Sequence, residues 1–212
     1  MKEDSQSNKV YSELRKKILS NQIVPGTRLK EDIWATKTEV SRVSVREALN
    51  RLLGEGLLET GEKGGYYVKT MTATDIHEIR EIRELLELGA LRLAFNNVTD
   101  EDIAELDRIC DDFTLMVKNG YFSGACEADV KFHETLINMA RNTKLRQLYE
   151  LSNIPLFHLK LGRSQTHMDD YELTDKEHRE ILKALKTKSL KKAEEFLSKH
   201  LLRGEVASLE LE

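Results

Sequence analysis

The sequence predicts a mainly α-helical protein in two parts: a small N-terminal domain of three helices and a β-hairpin, then an all-helical domain of six helices. Three observations carry this. Apolar residues recur at helical spacing through most of the 212 residues. Five of the 11 glycines fall between Gly54 and Gly65, just ahead of the β-like stretch Tyr66-Tyr67-Val68-Lys69. Helical patterning resumes near Thr74 and runs to the end, which puts the boundary in Thr70-Met71-Thr72-Ala73-Thr74 and gives domains 1–72 and 73–212.

In the first domain Val10, Leu14 and Ile18, with Tyr11 beside them, make a helical stripe, and Pro25-Gly26 marks a turn. A short helix is expected from Glu31 to Lys37. A third begins after Ser41, a good N-cap, and repeats Val45, Ala48, Leu49 and Leu52 at i, i+3, i+4 and i+7. Gly54 and Gly56 end it. Leu57 to Thr60 and Tyr66 to Lys69 then read as two strands joined by Gly61-Glu62-Lys63-Gly64-Gly65.

In the second domain Ile79, Ile82, Leu86 and Leu93 stripe a helix near 75–95, and Asp100 opens another to Lys118. Gly120 and Gly124 separate that from a third near 125–141. A fourth is expected over 144–163 with a kink at Pro155. Thr174 and Glu177 have the spacing of a capping box for the fifth, and Ser189 starts the sixth, to about 207.

Composition narrows the function classes. Hydrophobic residues make 40% and charged residues 33%, as in a soluble globular protein. The polar N-terminus suits no signal peptide, and no stretch is long enough to span a bilayer, so a cytoplasmic protein is expected. Cys110 and Cys126 form no CxxC pattern and read as reduced thiols. The net charge of −4 is unevenly divided: residues 1–70 hold 13 Lys/Arg against 10 Asp/Glu, and residues 71–212 hold 20 against 27. The first part therefore tolerates a phosphate backbone. Its third helix carries Arg42 and Arg46 four apart on one face, which the apolar stripe leaves free, with Ser44 between them. Arginine there suits the major groove, because a guanidinium bonds guanine O6 and N7 in a bidentate manner.

Residues 10–68 resemble the GntR-family DNA-binding domain, a winged helix-turn-helix. The matching pieces are Val10-Tyr11-x-x-Leu14-Arg15-x-x-Ile18, Pro25-Gly26-x-Arg28-Leu29-x-Glu31, Val40-Ser41-Arg42-x-x-Val45-Arg46-Glu47-Ala48-Leu49-x-x-Leu52, Gly56-Leu57-Leu58 and Gly65-x-x-Val68. The resemblance implies that Arg28, Arg42 and Arg46 contact bases or phosphates, with Ser41 and Ser44 as polar neighbours. It places the Lys63-Gly64-Gly65 tip at the minor groove. The chain departs from the family at Asp32, usually basic, at Glu39, usually the turn glycine, at Ser44, usually proline, and at Gly64, usually arginine. Trp34 replaces an aliphatic core residue and is expected to pack between helices.

Residues 75–207 resemble the FCD effector domain, in its shorter six-helix version. The pieces are Glu78-x-x-x-Ile82-Arg83-x-x-Leu86-Glu87, Asp129-x-x-Phe132-His133-x-x-Leu136-x-x-x-Ala140-x-Asn142-x-x-Leu145, Glu177-His178-x-x-Ile181-x-x-Ala184-Leu185 and Ala193-x-x-x-x-x-x-His200. Asp129 and His133 share a helix face at i, i+4. The resemblance adds His178 and His200 as ligands of one divalent metal, for which three imidazoles and a carboxylate suit zinc or nickel. It further implies a small carboxylate effector, with Arg80, Arg83, Asn142 and Arg163 as candidate contacts, and a homodimer on a pseudo-palindromic double-stranded DNA operator, acting as a repressor. His77, His158 and His167 match no ligand position. The alternatives are a DNA-binding regulator or architectural protein without a metal-dependent effector site, and an enzyme. The enzyme reading fails because Ile137 breaks the HExxH pattern begun by His133-Glu134, and no GxSxG sequence or P-loop occurs.

Overall fold

The computed structural model describes residues 6–19, 22–70, 72–152 and 168–209. They divide into two compact units, Met1–Thr72 and Ala73–Glu212.

The first unit is built from α1 (Gln6–Leu19), β1 (Arg28–Leu29), α2 (Glu31–Thr38), α3 (Arg42–Gly54), β2 (Leu58–Thr60) and β3 (Tyr66–Val68). Its core is the expected stripe on α1, Val10, Leu14 and Ile18, closed against Val45, Ala48, Leu49 and Leu52 of α3. Ser41 caps α3 with its hydroxyl accepting from the Ser44 N–H at 3.1 Å. Tyr11 and Arg51 tie α1 to α3: the guanidinium lies 3.6 Å from the ring centroid, and the phenol donates to Glu55 at 2.6 Å. Trp34 is buried, with the Lys37 ammonium 4.6 Å from its ring centroid.

The wing has one more strand than the sequence predicts. β3 is the middle strand, paired antiparallel to β2 through Leu58↔Val68 and Thr60↔Tyr66, and to β1 through Arg28↔Tyr67 and Leu29↔Tyr66. Glu39, standing where the family has glycine, takes that glycine's left-handed conformation at φ 55, ψ 38. Gly65, at φ 93, needs its missing side chain: a Cβ there would lie 3.3 Å from two nitrogens of the Arg28 guanidinium.

The second unit comprises α4 (Ala73–Ala94), α5 (Asp100–Lys118), α6 (Phe122–Met139), α7 (Thr143–Leu151), α8 (Met168–Lys186) and α9 (Leu190–Leu209). Its main core joins Leu91, Leu106, Ile109, Phe132, Leu136, Ile181, Leu185, Leu197 and Leu201 from five of these helices. A capping box does open one helix, but it is α5, through Thr99 and Asp102. Thr174 and Glu177, expected to open the fifth helix, lie well inside α8, which begins at Met168. Gly124, expected to separate helices, lies inside α6; a Cβ there would sit 2.9 Å from Met116 Sδ, so the glycine serves close packing of α5 on α6. The helix expected over 144–163 stops at Leu151, with Ser152 as its C-cap. Pro155, His158, Arg163 and His167 lie outside the described residues. Among the described residues no helix is long and apolar enough to cross a membrane.

Candidate metal centre and nucleic-acid interface

Asp129 and His133 are one turn apart on α6, and His178 and His200 come from α8 and α9. All four are buried, and one ligand atom from each lies within 4.8 Å of the others. His133 Nε2 lies 3.1 Å from His200 Nε2, and Asp129 Oδ1 lies 3.1 Å from His178 Nε2 and 3.8 Å from His133 Nε2. Phe132, adjacent to His133 in sequence, stacks on the His178 ring at 4.0 Å and 10°, which fixes that ring's plane.

A second layer sets the protons. His133 Nδ1 is 2.5 Å from Glu87 Oε2, and His200 Nδ1 is 2.8 Å from Glu177 Oε2. Burial alone would raise both glutamate pKa values. Arg83 and His133 outweigh it at Glu87, and hydrogen bonds from His200 and Arg203 outweigh it at Glu177, so both are held down at about 2. Ionised carboxylates only accept, so each Nδ1 carries the proton. Burial pushes His133 down to about 3 and His200 down to about 4, so both rings are neutral at neutral pH. Each Nε2 is then the unprotonated nitrogen of its ring, and the two stand 3.1 Å apart.

Such an arrangement suits a cation between the donors. Ligands about 2.1 Å from one ion, at the angles of tetrahedral or octahedral sites, lie roughly 3.0–3.4 Å apart. His178 Nε2 fits the same description, being 3.1 Å from Asp129 Oδ1 yet outside hydrogen-bond geometry. Carboxylate-to-imidazole contacts behind the donors are the usual outer layer of metal-binding histidines.

Arg83 reaches this layer from α4. It is 3% exposed and donates from Nε to Glu87 Oε1 at 2.6 Å; Tyr149 Oη reaches the same oxygen at 3.3 Å. Among the described residues, Arg83 Nη2 is a buried donor with no hydrogen-bond partner. The other effector candidates are differently engaged. Arg80 pairs with Glu84 and, at 2.9 Å, with Glu205, on the seam between α4 and α9. Asn142 is the N-cap of α7, its Oδ1 accepting from the Lys144 and Leu145 N–H groups at 3.1 Å, so its oxygen is already occupied. Arg163 lies outside the described residues. His77 bonds Glu205 at 2.7 Å. Cys110 and Cys126 are free and buried, and burial pushes their thiols up to about 12 and about 11.

In the first unit a cleft of about 610 Å³ between α2, α3 and the wing is lined by Arg28, Arg42, Arg46, Asn50, Gly65 and Tyr66, with Glu31 among them. Ser41 and Ser44 lie at the start of α3, their hydroxyls 2.9 Å apart. Gly64 is at φ 76 in the turn beside Lys63. Three further residues of this face are absent from the sequence reading as contacts. Val43 is 65% exposed in the first turn of α3. Asn50 accepts from Tyr66 Oη at 2.6 Å, and Glu31 holds Arg46 through two 2.8 Å bonds. The alternation of buried and exposed positions on α3 could have flagged Val43 and Asn50.

Comparison with known proteins agrees with this architecture. Residues 6–68 match the family of bacterial regulatory proteins called the gntR family, and residues 78–203 match the FCD domain. The HTH-type transcriptional regulator YdhC of Bacillus subtilis is 30% identical over 191 residues, covering 90% of this chain and 85% of that one. The gluconate operon transcriptional repressor of Bacillus licheniformis is 30% identical over 186 residues, covering 85% and 75%. Among solved structures, McbR/YncC of E. coli superposes with a TM-score of 0.84 at 22% identity, covering 97% of this chain and 98% of that one. A separately solved, metal-free FCD domain superposes at 0.55 and 22% identity, over 67% of this chain and 96% of that one. Two domain matches in this order, with full-length relatives that are transcription regulators rather than enzymes, make the chain a member of the gntR family: a DNA-binding transcription regulator with a C-terminal FCD domain.

Proposed function

We propose that this regulator is a homodimeric repressor whose FCD domain binds a divalent metal and a small carboxylate, and whose DNA affinity changes when the acid binds. The observation that carries the metal is the convergence of three buried imidazoles and a carboxylate, with the Nε2 atoms of His133 and His200 3.1 Å apart. Zinc and nickel both suit that donor set. The bound ion would supply Lewis acidity and an open coordination position for the acid. Glu87 and Glu177 keep His133 and His200 in the tautomer that presents Nε2 inward. Arg83 Nη2, buried and without a hydrogen-bond partner among the described residues, supports an anion beside the metal, since such a donor is costly and an arriving carboxylate would satisfy it.

On the DNA side Arg28, Arg42 and Arg46, with Ser41 and Ser44 and the Lys63-Gly64-Gly65 tip, form the contact surface. Two copies would match a pseudo-palindromic operator. Exposed Ile82, Leu85 and Leu93 on α4, and Leu148 and Leu151 on α7, supply apolar surface for the dimer to bury. The acid regulates only if it binds one arrangement of the two DNA-binding heads more tightly than the other. Release of the operator on acid binding is the direction we assign.

Elemental mass spectrometry of the purified chain, followed by native mass spectrometry, tests this reading. About one zinc or nickel per chain in a dimer supports it. No metal, even after reconstitution, removes Asp129, His133, His178 and His200 as a metal site. A monomer at operator-binding concentrations removes the dimer.

A further inference from the structure

The groove-facing surface carries a carboxylate where attraction to phosphate alone would favour none. Glu31, the first residue of α2, divides its two oxygens over one guanidinium: Arg46 donates from Nε to Oε1 and from Nη2 to Oε2, each at 2.8 Å. Arg42 Nη2 stands 3.7 Å from the same Oε2. The hydrogen bond from Arg46 lowers the Glu31 pKa, so the carboxylate is charged throughout the neutral range. Its side chain is 17% exposed, whereas that of Arg46 is 56% exposed.

A guanidinium has five N–H donors in a fixed planar fork. Glu31 takes the Nε and one Nη2 hydrogen, which is one edge of the fork. One Nη1 hydrogen and the second Nη2 hydrogen remain as a parallel pair on the end edge of the fork, which Glu31 does not occupy. Two parallel donors on that edge match guanine O6 and N7. An unheld arginine samples many rotamers and can turn to a phosphate as readily as to a base. Held at one edge, the side chain keeps a single direction. The same carboxylate also reduces the positive charge that the cleft offers to any DNA, since Arg28, Lys30, Arg42 and Arg46 there are opposed by Glu31 and Asp32.

We propose that Glu31 is a positioning residue which gives up general affinity for base selectivity: it holds Arg46 as a guanine reader and withholds it from phosphates. This rests on the reading of Arg46 as a base contact.

The test uses the full-length chain. Random duplexes are selected on the wild-type protein, and the enriched half-site is compared with that of Arg46→Ala. The expected result is one guanine per half-site that disappears in the alanine variant; without such a guanine, the base-contact reading of Arg46 fails and takes the proposal with it. At that guanine, 7-deazaguanine, which lacks the N7 acceptor, is then substituted and titrated at fixed salt. The wild type should lose about tenfold or more in affinity. Glu31→Gln should lose less than threefold, yet bind an unrelated duplex two- to fivefold more tightly. Glu31→Asp keeps the charge but is one methylene too short to span both nitrogens; it should lose base discrimination, with an unrelated-duplex affinity between those of wild type and Glu31→Gln. Retained discrimination in both variants overturns the proposal. Equal tightening of the selected and unrelated duplexes in Glu31→Gln also overturns it, because Glu31 would then be only a competing counter-ion. Circular dichroism of each variant establishes that the head is folded.

Discussion

Glu39→Gly is expected to stabilise the DNA-binding head. Glu39 ends α2 at φ 55, ψ 38, with its N–H bonded to the Ala35 carbonyl. A non-glycine L-residue in that region costs about 1–2 kcal/mol. Glycine adopts it freely, but a new glycine also loosens the unfolded chain by about 0.4–1 kcal/mol. The difference leaves a net gain of about 0.5–1 kcal/mol, or roughly a two- to fivefold smaller unfolding constant. Hydrogen exchange of the α3 amides from Val45 to Leu52 reads this directly, because those core amides exchange through opening of the head. Exchange in Glu39→Gly should slow by that factor. Glu39→Ala removes the charge but keeps the strained conformation, and should leave exchange unchanged. Slowing in both variants would assign the effect to charge, and no slowing in Glu39→Gly would refute the strain.

Four other outcomes follow from the structure. Arg46→Ala should weaken binding to the selected operator roughly 10- to 100-fold at fixed salt while changing unrelated-duplex affinity far less; equal loss on both duplexes would make Arg46 a phosphate contact. His133→Ala combined with His178→Ala should abolish stoichiometric metal, and metal retained at wild-type content would refute the site. Zinc at one hundred times its dissociation constant should add about 2.7 kcal/mol to the native state, so chelator should lower the midpoint of thermal unfolding by roughly 5–10 °C; an unchanged midpoint would mean no metal linkage. Cys110 and Cys126, whose burial holds the thiols up to about 12 and about 11, should resist a disulfide reagent in the native protein and react once it is unfolded.

The parts of the fold legible in the sequence are those in which one local pattern decides. The stripes on α1 and α3 repeat within the helix that buries them, and Ser41 caps a backbone three residues away. β1 was not legible, because two residues carry no periodicity and their partners Tyr66 and Tyr67 are supplied by a distant segment. Thr174 and Glu177 illustrate the opposite failure. Their i, i+3 spacing is that of a capping box, but inside α8 the same two side chains face α9, where Arg203 donates to Thr174 at 2.7 Å and His200 and Arg203 bond Glu177. Only the packing of α8 on α9 tells the two meanings apart. The four clustered donors were legible through family resemblance, while the work of Glu87 on His133, 46 residues away, had no local signal. Gly124 misled for a related reason: glycine marks both chain breaks and close helix approaches.

Trp34 is the single tryptophan of the chain, buried in the first unit beside Lys37. Excited at the red edge of the aromatic band, where the six tyrosines are silent, the protein therefore emits from its DNA-binding head alone. The proposed carboxylate is assigned to the second unit, whereas Trp34 belongs to the first. Any change in emission on adding such an acid would be a message received at the far end of the chain, and the native protein would report it without a label.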